Sequence, residues 1–127
     1  MDAKRFFPIS YDSRNHPKVR MLRMRGDGIA EYGRYIALLS ILYDMGNRID
    51  ATDETMLAYL ADELGLQGTD GAKEWIRLAA SCGLLDIRSL EEFGIVCNNS
   101  VGVQLDYMAK CAADGRKGGR QKKTADK

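Results

Sequence analysis

Apolar residues recur with helical spacing for more than four turns between residues 28 and 45. One stripe consists of Ile29, Tyr32, Ile36, Leu39 and Tyr43. Neighbouring rows are also apolar, and only Glu31, Arg34 and Ser40 interrupt them. Gly33 costs about 1 kcal/mol of helix propensity relative to alanine, and a glycine at such a position often permits close approach of another backbone. The pattern predicts a central helix that the rest of a small helical core surrounds on nearly all sides.

The residues before this helix predict an extended arm and a short helix. Residues 6–15 mix aromatic with turn-forming side chains, so we expect an arm that lays its aromatic rings on the core. Pro17 suits the first position of a helix, with His16 or Asn15 as its N-cap. This helix should end near Met24. Its predicted inward residues are Val19 and Leu22.

Two further helices follow the central one after a turn in which Ile49 favours a short strand. Thr52 or Asp53 caps a helix that should end at Leu64, and a second helix is expected over about residues 70–82. Gly65 and Gly83 are the predicted stops, and the inward residues are Leu57, Leu60, Leu64, Trp75, Ile76 and Ala79. This order predicts a helix-turn-helix pair.

Beyond Gly83 the hydrophobic pattern changes from helical to alternating. Leu85 and Ile87 alternate with polar neighbours, residues 89–93 form a charged turn, and residues 94–97 favour a strand. The segment therefore predicts a β-hairpin.

A last helix is expected to start after Ser100 and to fray near Gly115. Its predicted inward residues are Val101, Leu105, Met108 and Ala112. Residues 115–127 contain no apolar residue except Ala125, so they cannot form core. We therefore divide the chain into one domain over residues 1–114 and a basic flexible tail over residues 115–127.

This order of elements predicts a mainly α (α+β) fold. It is typical of a winged helix-turn-helix domain with an extra N-terminal helix, a β-hairpin wing and a trailing C-terminal helix. The chain has 127 residues, of which 45% are hydrophobic and 29% charged, as expected for one globular domain that needs no disulfide or structural metal. No apolar run is long enough for a signal peptide or a membrane span, so we expect a cytoplasmic protein that does not contact membranes.

Candidate catalytic and metal-binding residues are sparse. Cys82, Cys97 and Cys111 are widely spaced and form no C-x-x-C pair, so we expect buried, reduced thiols. His16 is the only histidine, and any Ser or Cys dyad with histidine would have to use it. The glycines of the tail follow no predicted strand, unlike those of a phosphate-binding loop. We expect no enzymatic activity, no cofactor and no metal site.

The net charge is only +1, but its distribution is uneven. Residues 1–25 carry seven Lys or Arg and two Asp, residues 26–113 carry six Lys or Arg and fourteen acidic residues, and residues 114–127 carry six and two. Basic ends around an acidic middle favour a nucleic acid, an acidic partner or a second subunit as the binding partner. The candidate DNA-binding residues are Lys18, Arg20, Arg23, Arg25, Lys73, Arg77, Arg116, Lys117, Arg120, Lys122 and Lys123.

These cations favour contacts to phosphates over contacts to base edges. On the second helix of the pair, Lys73 and Arg77 are offset by Asp70 and Glu74, and the predicted hairpin carries a net negative charge. Specific DNA-binding proteins usually present several donors to base edges in addition to their phosphate contacts. The tail, in contrast, is a polycation suited to neutralising phosphates without sequence preference.

Several stretches share a resemblance with one family. They are Phe6-Phe7-Pro8, Tyr11 to Asn15, Pro17-Lys18-Val19, Gly28, Tyr32-Gly33-Arg34-Tyr35, Leu38-Leu39, Ile49, Leu57 to Leu64 and Cys82-Gly83-Leu84-Leu85. Over roughly residues 6–112 the chain resembles the N-terminal domain of phage and prophage replisome-organiser proteins, which are related to the DnaD-like replication initiators. The resemblance implies a winged-helix module of the kind found in proteins that load or organise replication machinery and often self-associate.

Two functions follow from these observations. The first is a non-catalytic phage or mobile-element protein that binds DNA through its basic ends and forms homo-oligomers in replication or its regulation. The second is a protein interaction module without DNA binding, which includes a phage inhibitor of a host replication or defence protein.

Overall fold

A computed structural model of the chain describes residues 7–125, and for residues 114–125 it describes the backbone alone. The elements in chain order are a short 3-10 helix Ser13–Asn15, α1 Pro17–Arg25, α2 Ala30–Asp44, β1 Ile49–Asp50, α3 Glu54–Leu64, α4 Gly68–Ser81, α5 Ile87–Phe93, β2 Ile95–Val96 and α6 Asn99–Ala125. Helices dominate this part of the chain, and its two short strands form one antiparallel sheet. The predicted mainly α class with a small β component is confirmed.

Helix α2 lies at the centre of the core, as its apolar pattern predicts. Its side chains Leu38 and Leu42 are completely buried, and the helix packs against α1, α3 and α6. The helix is not enclosed on all sides, however. Ile29, the residue that directly precedes α2, is 60% exposed. Gly33 faces solvent on the side of the helix opposite Leu42, and no neighbouring atom lies within 4 Å of where its Cβ would stand. The predicted close approach of another backbone at Gly33 is therefore wrong.

Helices α3 and α4 form the predicted pair joined by a short turn. The carboxylate of Asp53 accepts a hydrogen bond from the Thr55 backbone N–H at 2.9 Å and caps α3, and Gly65 ends the helix with a left-handed φ of 67°. Helix α4 begins at Gly68, two residues before the predicted start. The residues that the pair buries are Leu57, Leu60, Ala61, Leu64, Ala72, Trp75, Ile76, Ala79 and Ala80.

The predicted β-hairpin is wrong, because the segment between its two expected strands contains helix α5. Strand β2 pairs instead with β1, which precedes α3, so that Ile49 lies opposite Val96 and Asp50 opposite Ile95. The expected first strand is reduced to one hydrogen bond, from the Asp86 N–H to the Cys97 carbonyl oxygen at 2.9 Å.

Local side-chain chemistry explains why α5 forms. Arg88 and Glu92 lie one turn apart and form an ion pair at 3.2 Å, which stabilises a helix and has no counterpart in a strand. The hydroxyl of Ser89 donates to the carboxylate of Asp86 at 2.7 Å, and Gly94 ends the helix with a left-handed φ of 65°. The alternation that suggested a strand is too short to exclude the first turn of a helix.

The N-terminal arm and α1 largely follow the prediction. The ring of Phe7 stacks on Tyr43 with centroids 4.8 Å apart, whereas Tyr11 is 94% exposed and Phe6 lies outside the described residues. His16 caps α1, since its Nδ1 accepts from the Lys18 N–H at 3.2 Å. The predicted inward residues Val19 and Leu22 are buried.

Two asparagines tie the start of α6 to the end of α2. The Asn47 Nδ2 donates to the Asn98 carbonyl oxygen and its Oδ1 accepts from the Asn98 N–H, both at 2.9 Å. The side chain of Asn98 is buried, where its Nδ2 donates to the Leu84 carbonyl oxygen at 2.6 Å and its Oδ1 accepts from the Val101 N–H at 3.0 Å. This network satisfies the backbone where the sheet passes into α6.

Helix α6 starts at Asn99 and continues to Ala125, past Gly115 where we expected it to fray. Val101 is buried, but Ala112 is exposed, because the helix extends beyond the core that its first turns contact. Cys111 is also exposed, so the expectation of a buried thiol is wrong there, although Cys82 is buried. Among the helices described, none combines the length and apolar character needed to cross a membrane.

Candidate nucleic-acid interface

A buried carboxylate, Glu31, fixes the turn that leads from basic helix α1 into α2. Its Oε1 accepts from Arg34 Nη1 at 2.6 Å and from Trp75 Nε1 at 2.9 Å, and its Oε2 accepts from the Asp27 N–H at 3.1 Å. Arg34 Nε also donates to the carbonyl oxygen of Leu64 at the end of α3, at 3.0 Å. One carboxylate therefore joins α2, α4 and the α1–α2 turn, and sets the position of α1.

The hydrogen bonds of Glu31 also decide its charge. Burial raises the pKa of this carboxyl, but the donors Arg34, Trp75 and the Asp27 N–H, together with the positive charge of Arg34, outweigh burial and hold the pKa below its ordinary value. The group is ionised at neutral pH and its oxygens are occupied by protein donors. Its geometry is that of a structural group.

The cations predicted on α1 separate into two groups. Lys18 and Arg25 lie on the side that faces the end of α4, where the Lys18 stem runs against Gly83 and Arg25 Nη1 donates to Ser81 Oγ at 3.3 Å. Positive charge near the carboxyl end of a helix interacts favourably with its dipole. These two cations therefore contribute to packing within the domain.

Arg20 and Arg23 lie on the other side of α1, in what we call the arginine pocket. This shallow pocket of about 320 Å³ is lined by Asn15, Arg20, Arg23, Met24 and Gly28. The Arg23 Nη1 donates to the carbonyl oxygen of Arg14 at 3.2 Å, which places a third arginine beside the pocket. Arg14 and Arg20 are exposed.

The arginine pocket carries uncompensated positive charge. None of Arg14, Arg20 and Arg23 forms an ion pair with any residue that the structure describes. The Arg23 Nε is the one buried side-chain polar atom, within the same residues, that lacks a hydrogen-bond partner. A guanidinium group with free donors that forms no ion pair with a carboxylate is suited to binding a phosphate oxygen.

The predicted site on α4 is not basic. Lys73 is half-buried and its Nζ lies 3.9 Å from a carboxylate oxygen of Glu54. Arg77 is exposed, but it shares the solvent-facing side of the helix with Asp70 and Glu74. Its two cations and two anions cancel, so this helix presents no net positive charge to a phosphate that approaches from solvent.

Helix α5 adds further negative charge beside α4. Glu91 and Glu92 are exposed, and the only cation of α5, Arg88, is paired with Glu92. Phosphates are repelled by such a surface. The structure therefore brings Arg20 and Arg23 together, separates them from Lys18 and Arg25, and sets Lys73 and Arg77 among acidic side chains.

The tail residues of the predicted interface form a separate group. They are Arg116, Lys117, Arg120, Lys122 and Lys123, which follow one another on the backbone of α6. Their side chains lie outside the described residues, so their contribution stays a prediction.

Two residues at the arginine pocket were missed by the sequence patterns. Arg14 and Asn15 belong to a turn-rich segment, and turn formation alone explained their presence. The signal that could have found them is the cap before Pro17, since residues that precede an N-cap often pack against the first turns of the helix.

Known proteins provide no further guidance to this site. No protein-family model, curated protein or solved structure matches the chain. Within the described residues, no group of three or more His, Cys, Asp or Glu side chains is placed to hold a metal ion. The resemblance to replisome organisers stays a prediction.

Proposed function

We propose that this chain is a non-catalytic winged-helix protein of a phage or mobile element that binds DNA phosphates without sequence preference. It acts in the cytoplasm, in replication or its regulation, and it self-associates. The arginine pocket, with Arg14 beside it, makes the phosphate contacts of the folded domain, and the basic tail adds further contacts.

The order of elements supports the winged-helix assignment. A strand, β1, precedes the α3–α4 pair along the chain and pairs with β2, which follows it. Helix α5 occupies the chain position of a wing. Because α4 carries no net positive charge and α5 is acidic on its solvent side, DNA contact falls to α1 and the arm.

The uncompensated arginine cluster is the observation that carries the DNA-binding proposal. Each cation that contacts a phosphate releases condensed counterions, so that the logarithm of the binding constant falls with the logarithm of salt concentration by about 0.9 per contact. Arg14 and Arg20 are exposed and make no side-chain contact that holds the fold together, apart from a long 3.4 Å bond from Arg14 to the Tyr11 carbonyl oxygen. They can therefore be replaced without loss of the domain.

The test is fluorescence anisotropy of a labelled duplex across a salt series. The double variant Arg14→Gln/Arg20→Gln should bind more weakly, with a salt slope reduced by about 1.8. The matched control is Lys18→Gln/Arg25→Gln, which removes the same charge from the side of α1 that faces α4 and should leave the slope unchanged. Equal changes in the two variants would contradict a defined phosphate site, and a full chain that binds no DNA at low salt would refute the proposed function.

A protein interaction module is the second candidate, and one observation favours it. Exposed apolar side chains accompany the acidic surface of α5, where Ile87 is 50% exposed and Phe93 is 68% exposed. Apolar groups without a partner are typical of protein contacts. In this alternative, the helical pair docks a host replication or defence protein and the chain binds no DNA.

A further inference from the structure

An apolar groove of about 510 Å³ lies between α4 and α5. We call it the α4–α5 groove. The buried side chains Ile76 and Ala80 form its floor, and the half-exposed Ile87 lies on its α5 side. Its size lies within the range of pockets that bind ligands and anchoring side chains.

The walls of the α4–α5 groove differ in charge. Lys73 and Arg77 are one helical turn apart on the α4 wall, and Glu91 lies on the α5 wall. A partner that fits this groove needs apolar anchor residues and a carboxylate on the flank that meets α4. Residues of this kind occur on α6 of the same chain.

Helix α6 presents an apolar face that nothing in the described residues covers. Val103 is 70% exposed and Tyr107, one turn later, is 59% exposed. Asp106 is exposed and lies beside them on the helix surface. We call these three residues the Val103–Tyr107 face.

The same helix cannot place this face in its own groove. The opposite side of α6 packs against α2 through the buried Val101, and the helix start is held by Asn98. The Val103–Tyr107 face therefore points away from the core of its own domain, and no residue whose side chain the structure describes covers it.

We propose that the Val103–Tyr107 face of one copy of this chain binds the α4–α5 groove of a second copy. Val103 and Tyr107 supply the apolar anchors, and Asp106 lies against Lys73 or Arg77. The proposal rests on the self-association stated above and names the two surfaces that make it. Each copy presents both surfaces, so the contact can repeat from head to tail and give a ring or an open chain of subunits.

Sedimentation velocity of the full chain over a range of concentrations tests the proposal. The wild-type chain should assemble, whereas Ile87→Glu, which charges the groove, and Tyr107→Lys, which charges the α6 face, should each sediment as one chain. An equimolar mixture of the two variants should give a 1:1 dimer with twice the mass, because each variant supplies the surface that the other lacks. Pairing of α6 with α6, or of groove with groove, does not predict this recovery.

Matched controls separate the proposal from a general effect of charge. Phe93→Glu places the same charge on α5 outside the groove, and Ala109→Lys places it on α6 outside the Val103–Tyr107 face, so both should assemble like the wild type. Thermal melts by circular dichroism check that each variant is folded. If one is not, Arg77→Glu and Val103→Lys charge the same two surfaces.

The outcomes are distinguishable. If Ile87→Glu and Arg77→Glu still assemble while Tyr107→Lys does not, α6 pairs with itself; the inference is then wrong, although self-association stands. If the wild-type chain stays monomeric at every concentration, both fail, and the anisotropy test of DNA binding is unaffected.

Discussion

Trp75 Nε1 donates a 2.9 Å hydrogen bond to Oε1 of Glu31, although 44 residues separate the two along the chain. The bond joins α4 to α2, and the same carboxylate oxygen accepts from Arg34. Glu31 is the one acidic residue of the described core, with an exposed fraction of 3%. The helical pair, the central helix and basic α1 thus depend on one ionised side chain for their arrangement.

Replacing Glu31 by alanine should strongly destabilise the domain. The change leaves the Arg34 guanidinium and the Trp75 N–H without their acceptor, and removal of one partner from a buried charge pair typically costs about 3–5 kcal/mol. Urea unfolding followed by the fluorescence of Trp75, the only tryptophan, measures the effect. The control Glu63→Ala, on the exposed side of α3, should change the free energy of unfolding by less than about 0.5 kcal/mol. Similar losses in both variants would contradict the assigned role of Glu31.

The contribution of Glu31 should depend on pH. The pKa of Glu31 in the folded chain lies below the ordinary value of 4.5. As the pH falls, the Glu31 carboxylate is therefore protonated in the unfolded chain before it is protonated in the folded chain. The stabilisation is therefore complete above pH 4.5 and is lost as the pH falls through the lower, folded-state pKa. The difference in unfolding free energy between wild type and Glu31→Gln should be constant from pH 7 to about 5 and should shrink at lower pH. A difference that does not change down to about pH 3 would show that the carboxylate is not tuned by its donors.

Two glycines should respond to alanine in opposite directions. A Cβ at Gly26 would overlap the carboxylate of Glu31, so Gly26→Ala must displace that group and should cost about 1–3 kcal/mol. Gly33 lies within α2 with open space around its Cβ position, so Gly33→Ala should stabilise the chain by about 0.5–1 kcal/mol. Chemical denaturation of the two single variants measures both. A loss of stability in Gly33→Ala would show that a neighbour does approach this position.

Removing the basic tail should reduce the salt dependence of DNA binding. If the tail meets about five phosphates, a chain truncated after Ala113 should have a slope smaller by about 4.5 in the plot of log K against log salt. A variant of the whole chain with glutamine at the five candidate DNA-binding cations of the tail separates charge from length. The positions replaced are Arg116, Lys117, Arg120, Lys122 and Lys123. If this variant binds like the wild type, the tail cations do not contact DNA.

The helices could be predicted where local signals determine them. Pro17 after a capping His16 marks the start of α1, and Asp53 and Gly65 mark the limits of α3, because a cap satisfies backbone groups within a few residues of itself. The same local pattern failed over residues 85–97. There, a short alternation of apolar and polar residues is compatible with a strand and with a helix. The ion pair of Arg88 with Glu92 favours the helix, and β2 pairs with β1 instead of with residues 85–87.

The candidate site could be predicted only as a set of charges. The sequence shows that the two ends are basic and the middle is acidic, and it identifies Arg20 and Arg23 as candidates. It does not show that Lys18 and Arg25 turn towards α4, or that Arg14 lies beside the pocket. These placements depend on how α1 packs against its neighbours. The spacing of residues along the chain does not determine that packing.

The sequence alone determined the helical class, the central position of α2 and the uneven charge of the chain, because periodicity and composition act through local geometry and solvation. Tertiary structure alone decided the role of Glu31. In the sequence this residue is only a charged interruption of an apolar helical pattern. A buried carboxylate is stable only where donors from distant segments converge on it, and Trp75 reaches it only after α3 and α4 have folded back on α2. The same holds for β1 and β2, whose pairing joins residues on either side of the α3–α4 pair.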